Sequence, residues 1–145
     1  MVQVGVFTVG QPKHKCVERR IFNSIKYILS ENEFNSIVYD EDSDGLDIVY
    51  IFSDDWVIGK MEKMFTFNKV LKEYKDVTKE VLFQKDLPKV FSENDNKKIL
   101  MEFLDKNLNS DLVLDKINCM GINSLTEIDH IKIKKPTWKW VFLLS

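Results

Sequence analysis

Asp40, Asp42 and Asp44 stand two residues apart and Gly45 follows them, the spacing with which an EF-hand calcium loop opens. Calcium needs six or more oxygen ligands, and the twelfth loop position normally supplies a bidentate glutamate. Here that position is Ile51, and the eighth, usually aliphatic, is Asp47. The flanking segments also read as strands rather than helices. Half a motif out of its context does not make a metal site, so no metal or other cofactor is expected. Asp, Ser and Gly are equally the residues of a tight turn, because they hydrogen-bond locally and Gly accepts positive φ.

The remaining chemistry-bearing residues form no complete set. Gly5 and Gly10 have the spacing of a phosphate loop, but Gln11 and Pro12 occupy the positions where Lys and Ser or Thr are required. His14 and Cys16 precede a helix, whose N-terminus can lower a thiol pKa, yet the sequence places no base against the sulfur. Cys16 and Cys119 are therefore read as free, mostly buried thiols. Asp47, Asp54, Glu62 and Lys63 could be drafted into a metal-dependent nuclease or hydrolase, though their spacing fits no signature. At the C-terminal end, Lys132, Lys134, Lys135 and Lys139 interleave with Trp138 and Trp140, a composition that can bind single-stranded nucleic acid by phosphate contact and stacking. A net charge of −2 argues against that use, since nucleic-acid domains tend to be basic.

The larger signal is electrostatic. Between Lys26 and Lys60 there is no Lys or Arg, while residues 31 to 55 hold nine acids: Glu31, Glu33, Asp40, Glu41, Asp42, Asp44, Asp47, Asp54 and Asp55. With a total of −2, the rest of the chain sums to +7. A helix end, a hairpin turn and the next helix start are expected to gather these acids at one end of the domain. Like charges repel at a cost in stability, and steering a basic partner is one return on that cost. Tyr39 and Trp56 would be apolar anchors inside the charged rim.

Periodicity supplies the elements that must position these groups. Residues 2–9 are β-branched and aromatic, ending at Gly10, and predict a buried strand. Val17, Ile21, Ile25, Ile28 and Leu29 recur at three- and four-residue steps and predict an amphipathic helix over 16–30. Segments 34–39 and 46–52 predict strands, and their short connection at 40–45 forces an antiparallel hairpin. Ser53, Asp54 and Asp55 open a helix carrying Val57, Met61, Met64, Phe65, Leu71 and Tyr74. A short strand follows at 81–84, and a capping-box variant at 92–95 starts a helix that ends near Asn107. Alternation then predicts three strands, at 113–120, 127–134 and 137–144. The order β-α-β-β-α-(β)-α-β-β-β describes an α+β domain, a mostly antiparallel sheet with two or three helices packed on it, spanning 1–145.

At 145 residues with 44% hydrophobic content the chain can bury a real core, and no apolar run approaches the roughly 20 residues needed to cross a bilayer. With no signal-like N-terminus and two cysteines, a cytoplasmic location without membrane contact is expected. In size, acidity and lack of catalytic motifs the chain is similar to bacterial toxin-neutralising immunity proteins and nuclease inhibitors, a likeness of class that no residue motif carries. The expectation is a small protein-binding inhibitor rather than an enzyme. It would cover a basic partner, a toxin or nuclease, with Tyr39, Asp40, Glu41, Asp42, Asp44, Asp47, Asp54, Asp55 and Trp56. The alternatives are a metal-dependent enzyme using the carboxylates between Asp40 and Asp55, or a nucleic-acid module using the C-terminal Lys/Trp segment.

Overall fold

The computed structural model describes residues 2–133. Its contacts divide the described residues into two compact units, residues up to 78 with 88–99, and 79–87 with residue 100 onward.

The first unit is built on β1 (Gln3–Val9), α1 (Lys15–Ile28), α2 (Glu31–Asn35), β2 (Val38–Glu41), β3 (Asp47–Ser53), α3 (Asp55–Phe67) and β4 (Leu71–Asp76). The four strands form one antiparallel sheet in the order β2-β3-β1-β4. Central β1 is covered on both faces, which is why its sequence is a nearly continuous apolar run. Directly opposed residues share a face. Phe7 with Val49 points one way, and Val4 with Phe52 and Val6 with Tyr50 point the other.

On the first face, Phe7, Val9 and Ile51 join Ile21 and Leu29 beside α1 and Ile58, Met61 and Phe65 of α3 in a buried cluster. Phe7 stacks at 5.3 Å from Phe65 and 4.9 Å from Tyr74. Gly5 permits this close approach, since a Cβ there would lie 3.1 Å from both Ile58 Cγ2 and Tyr74 Cε1. On the opposite face, the 3₁₀ turn Lys89–Ser92 sets Phe91 edge-on to Tyr50, ring centroids 4.8 Å apart. Each such fully buried aromatic contributes about 1.5–3 kcal/mol of transfer free energy.

The second unit carries α4 (Thr78–Leu82) from residue 79 onward, α5 (Asn94–Asn107) from residue 100 onward, α6 (Ser110–Met120) and α7 (Glu127–Lys132). Its buried side chains include Leu82, Phe83, Phe103, Leu104, Val113, Ile117 and Ile128. Lys116 and Asp129 are buried with them, at 1% and 0% exposure, and pair at 2.7 Å.

The α+β class, the antiparallel sheet and the hairpin joining β2 to β3 agree with the sequence expectation, as do α1, the start of α3 and the extent of α5. Several elements do not. Residues 71–76 form a strand instead of continuing α3. Asn68 closes α3 and Lys69 takes a left-handed φ of 60°, a break made without Gly or Pro and so without a sequence signal. Residues 78–82 are helical where a strand at 81–84 was expected. The segment 34–39 divides between the end of α2 and the start of β2. Ser30 and Glu33 form a reciprocal capping box that starts α2 ahead of it.

The expected strands at 113–120 and 127–134 are overturned over their described residues by α6 and α7. Asn109 caps α6 by accepting from the Leu112 N–H, and Thr126 with Asp129 makes a capping box at α7. Val113, Lys116 and Ile117 are buried at helical spacing. The methylene stem of a buried lysine takes part in an apolar stripe that period-two reading treats as broken. The predicted strand at 137–144 lies outside the described residues.

Candidate docking surface at the β2–β3 hairpin

The turn is held by its own acids. Asp42 Oδ1 accepts from the backbone N–H groups of Asp44 and Leu46, both at 2.9 Å. Gly45 takes φ +80°, a conformation that a side chain would strain. Asp42 N–H also donates to the Leu46 carbonyl at 2.9 Å, completing the loop. Asp40 Oδ1 accepts from the Glu41 N–H at 2.8 Å. The aspartates spaced as in a calcium loop are thus partly spent on backbone donors.

Asp47 opens β3 opposite Glu41, and Tyr39 lies opposite Val49 on the same face of the sheet. The Tyr39 hydroxyl donates to Asp47 at 2.5 Å, and Gln11 Nε2 donates to the other carboxylate oxygen at 3.1 Å. That hydrogen bond to Asp47, with smaller help from burial and from the negative field of Asp47, Glu41 and Asp40, pushes the Tyr39 pKa up to about 12. Tyr50 is also raised, first by burial and then by Asp40. Asp40, Glu41, Asp42, Asp44 and Asp47 therefore gather around one hairpin, beside a Tyr39 ring that is 55% exposed. Among the described residues, no Lys or Arg forms an ion pair with any of them.

The other predicted residues lie elsewhere. Asp54 caps α3 by accepting from the Val57 N–H at 2.8 Å, and Asp55 and Trp56 stand in the first turn of that helix. Trp56 is 72% exposed, with the Lys60 ammonium 5.0 Å from its ring. Glu33 joins this end of β3 by accepting from the Ser53 hydroxyl and, at 2.9 Å, from the Ser30 N–H. Burial opposes ionisation of Glu33, but the hydrogen bonds from Ser53 and Ser30 prevail and hold its pKa below the ordinary value, against the repulsion of Asp54.

The hairpin acids and the α3-start acids are separated by the seven residues of β3, roughly 20 Å at about 3.3 Å per residue. The nine acids do not meet at one end of the fold, contrary to expectation. The reason was legible: the predicted strand at 46–52 stands between the two groups and must carry them apart. The same distance keeps Asp47 and Asp54 from sharing a metal ion. Among the described residues, no group of three or more His, Cys, Asp or Glu is arranged to hold one. Cys16 and Cys119 are exposed rather than core-facing thiols. Lys132 of the basic C-terminal segment pairs with Asp105 at 3.4 Å, while Lys134, Lys135, Trp138, Lys139 and Trp140 lie outside the described residues.

Sequence reasoning missed the feature next to the hairpin. A groove of about 320 Å³ opens between α1 and the β2–β3 side of the sheet, lined by buried Ile21 and Phe65 and by half-buried Ile25, Phe34, Ile37 and Val49, with Phe22 and Tyr39 more exposed. Ile21 and Ile25 belong to the apolar stripe of α1 and Phe22 adjoins it, but nothing in that stripe says which part of it the sheet leaves uncovered. Glu18 and Asp47 are the charged residues of the groove wall, and Gln11 is the polar neighbour that ties Asp47 down.

No family model, curated protein or solved structure matches this chain. Among the described residues, no helix is long and apolar enough to cross a membrane.

Proposed function

We propose that this chain is a protein-binding module of the inhibitor or immunity type, which docks a basic protein surface against its β2–β3 hairpin. The observation that carries the reading is the concentration of five carboxylates, Asp40 to Asp47, around one turn, without a described Lys or Arg paired to them and beside half-exposed Tyr39. Such a tip raises the local potential and steers an oppositely charged partner, a gain of 10–10³ in association rate at low ionic strength. Tyr39, held by Asp47, is a pre-ordered aromatic that loses little entropy on contact. The docking set is thereby narrowed to Tyr39, Asp40, Glu41, Asp42, Asp44 and Asp47, with Asp54, Asp55 and Trp56 left to a separate surface.

The test uses Glu41→Lys with Asp44→Lys and spares Asp42, whose carboxylate holds the turn. A partner recovered by affinity capture is measured for association rate against both proteins at low and high salt. The double variant is expected to associate at least about tenfold more slowly at low salt, with the two rates converging at high salt. An unaltered association rate at low salt would refute the reading.

A further inference from the structure

The groove beside the hairpin has a chemistry of its own. Its lining is mostly apolar: Phe34 meets Phe22 edge-on at 6.0 Å, and Ile21, Ile25, Ile37, Val49 and Phe65 add to it. Its charged wall residues, Glu18 and Asp47, are both negative. Asp47 is fixed by Tyr39 and Gln11, so a carboxylate stands ready at the mouth without a cation. Phe22 is 50% exposed at the opposite side, and the Lys26 ammonium stands 5.4 Å from its ring. The groove is therefore polarised, acidic toward the hairpin and basic beyond Phe22. A volume of about 320 Å³ suits one large side chain and the start of the next.

We infer that this groove captures an apolar or aromatic side chain of a basic segment in the partner protein, with the neighbouring Lys or Arg of that segment directed to Asp47 and Glu18. The inference rests on the docking role of the hairpin and adds what the partner must present: a basic stretch interrupted by a large hydrophobic anchor. Acids alone would accept any cationic surface. The groove converts that general attraction into selection, because an apolar side chain entering it leaves water while its basic neighbour meets Asp47 and Glu18 on the wall. Lys26 beyond Phe22 disfavours the reverse orientation, which would carry the cation past that ring.

The experiment uses three synthetic peptides as probes, acetyl-Lys-Phe-Lys-Lys-amide, its Gly-for-Phe analogue and acetyl-Glu-Phe-Glu-Glu-amide. Each is titrated into the full chain while backbone amide spectra are recorded. The Lys-Phe peptide is expected to bind at least about tenfold more tightly than the Gly analogue, as burial of a Phe side chain implies. The affected amides should include Phe22, Ile37 and Val49. Phe22→Ser, at a half-exposed position, should bring the ratio between those two peptides toward one. Asp47→Asn keeps an oxygen acceptor for the Tyr39 hydroxyl and gives up the one that Gln11 uses, and should weaken both basic peptides about threefold while preserving their ratio.

Equal binding of the Phe and Gly peptides overturns the groove inference and leaves the hairpin reading standing. Failure of both basic peptides to bind overturns the two together. Equal binding of the Glu-Phe peptide overturns the charge selection.

Discussion

Removing one member of the Lys116–Asp129 pair should cost far more than removing both. The ammonium and carboxylate meet at 2.7 Å with 1% and 0% exposure. Asp129 also accepts from Gln84 Nε2 at 3.2 Å and from the Thr126 N–H at 2.9 Å, so it serves as a buried ion and as the cap of α7. Lys116→Met fills similar space but leaves that carboxylate buried without a counter-charge. The expected loss is about 3–5 kcal/mol, a large part of the 5–15 kcal/mol that stabilises a typical domain. Asp129→Asn should cost about as much, because it strands the ammonium instead. In Lys116→Met with Asp129→Asn no charge is left buried, the Asn oxygen can still accept from the Thr126 N–H, and a flipped Gln84 amide can accept from the Asn Nδ2. The double variant should therefore lose only about 1–2 kcal/mol, giving a coupling of several kcal/mol. Native-state hydrogen exchange read at the α6 and α7 amides is the suitable assay, because it assigns the loss to this unit without a two-state fit over the whole chain. A Lys116→Met loss below about 1 kcal/mol would refute the reasoning, and so would a double variant as damaged as the sum of the singles.

Four further outcomes follow from the first unit. Gly5→Ala should destabilise by about 1–3 kcal/mol in denaturant titration, since its Cβ would press on Ile58 and Tyr74 at 3.1 Å. Asp42→Ala should cost about 1 kcal/mol by removing the acceptor for two turn N–H groups, while Glu41→Lys with Asp44→Lys should leave the unfolding midpoint nearly unchanged. The raised Tyr39 pKa means that its contribution to stability is complete below the unfolded value near 10 and is lost as pH climbs through about 12. Asp47→Asn should bring the Tyr39 ring titration down toward 10, as followed by ring resonances. Glu33 runs in the opposite sense. Its depressed pKa supplies stability above the ordinary value of 4.5 that is lost as pH falls through the folded value, and Ser53→Ala should raise its carboxyl titration toward 4.5.

The elements legible in the sequence are those whose signals are local. The apolar run of β1 and the three-and-four spacing of α1 state their own periods. A six-residue connection at 40–45 can join only antiparallel neighbours, and Asp54 marks the start of α3 by the hydrogen bond it was placed to accept. The turn character of Asp42 and Gly45 was equally readable, because it depends on contacts within five residues. The errors fall where a distant partner decides. Leu71 and Tyr74 have helical spacing, yet β1 offers an open edge and Phe7 a ring for Tyr74 to stack on, so the segment pairs as β4. Residues 113–120 look alternating until Lys116 is seen as a buried member of a helical stripe, matched by an aspartate 13 residues away.

For the candidate surface the division is the same. Sequence alone determined that the chain carries a run of acids free of lysine and arginine, and that four of them, Asp40, Glu41, Asp42 and Asp44, belong to one short connection. Only the tertiary structure decided that β3 carries the other acids to its far end, that Tyr39 and Gln11 converge on Asp47, and that α1 leaves an apolar groove uncovered beside them. Charge and turn chemistry are properties of neighbouring residues. A groove is a property of surfaces that meet only after the chain has folded, and no window along the sequence contains both of its walls.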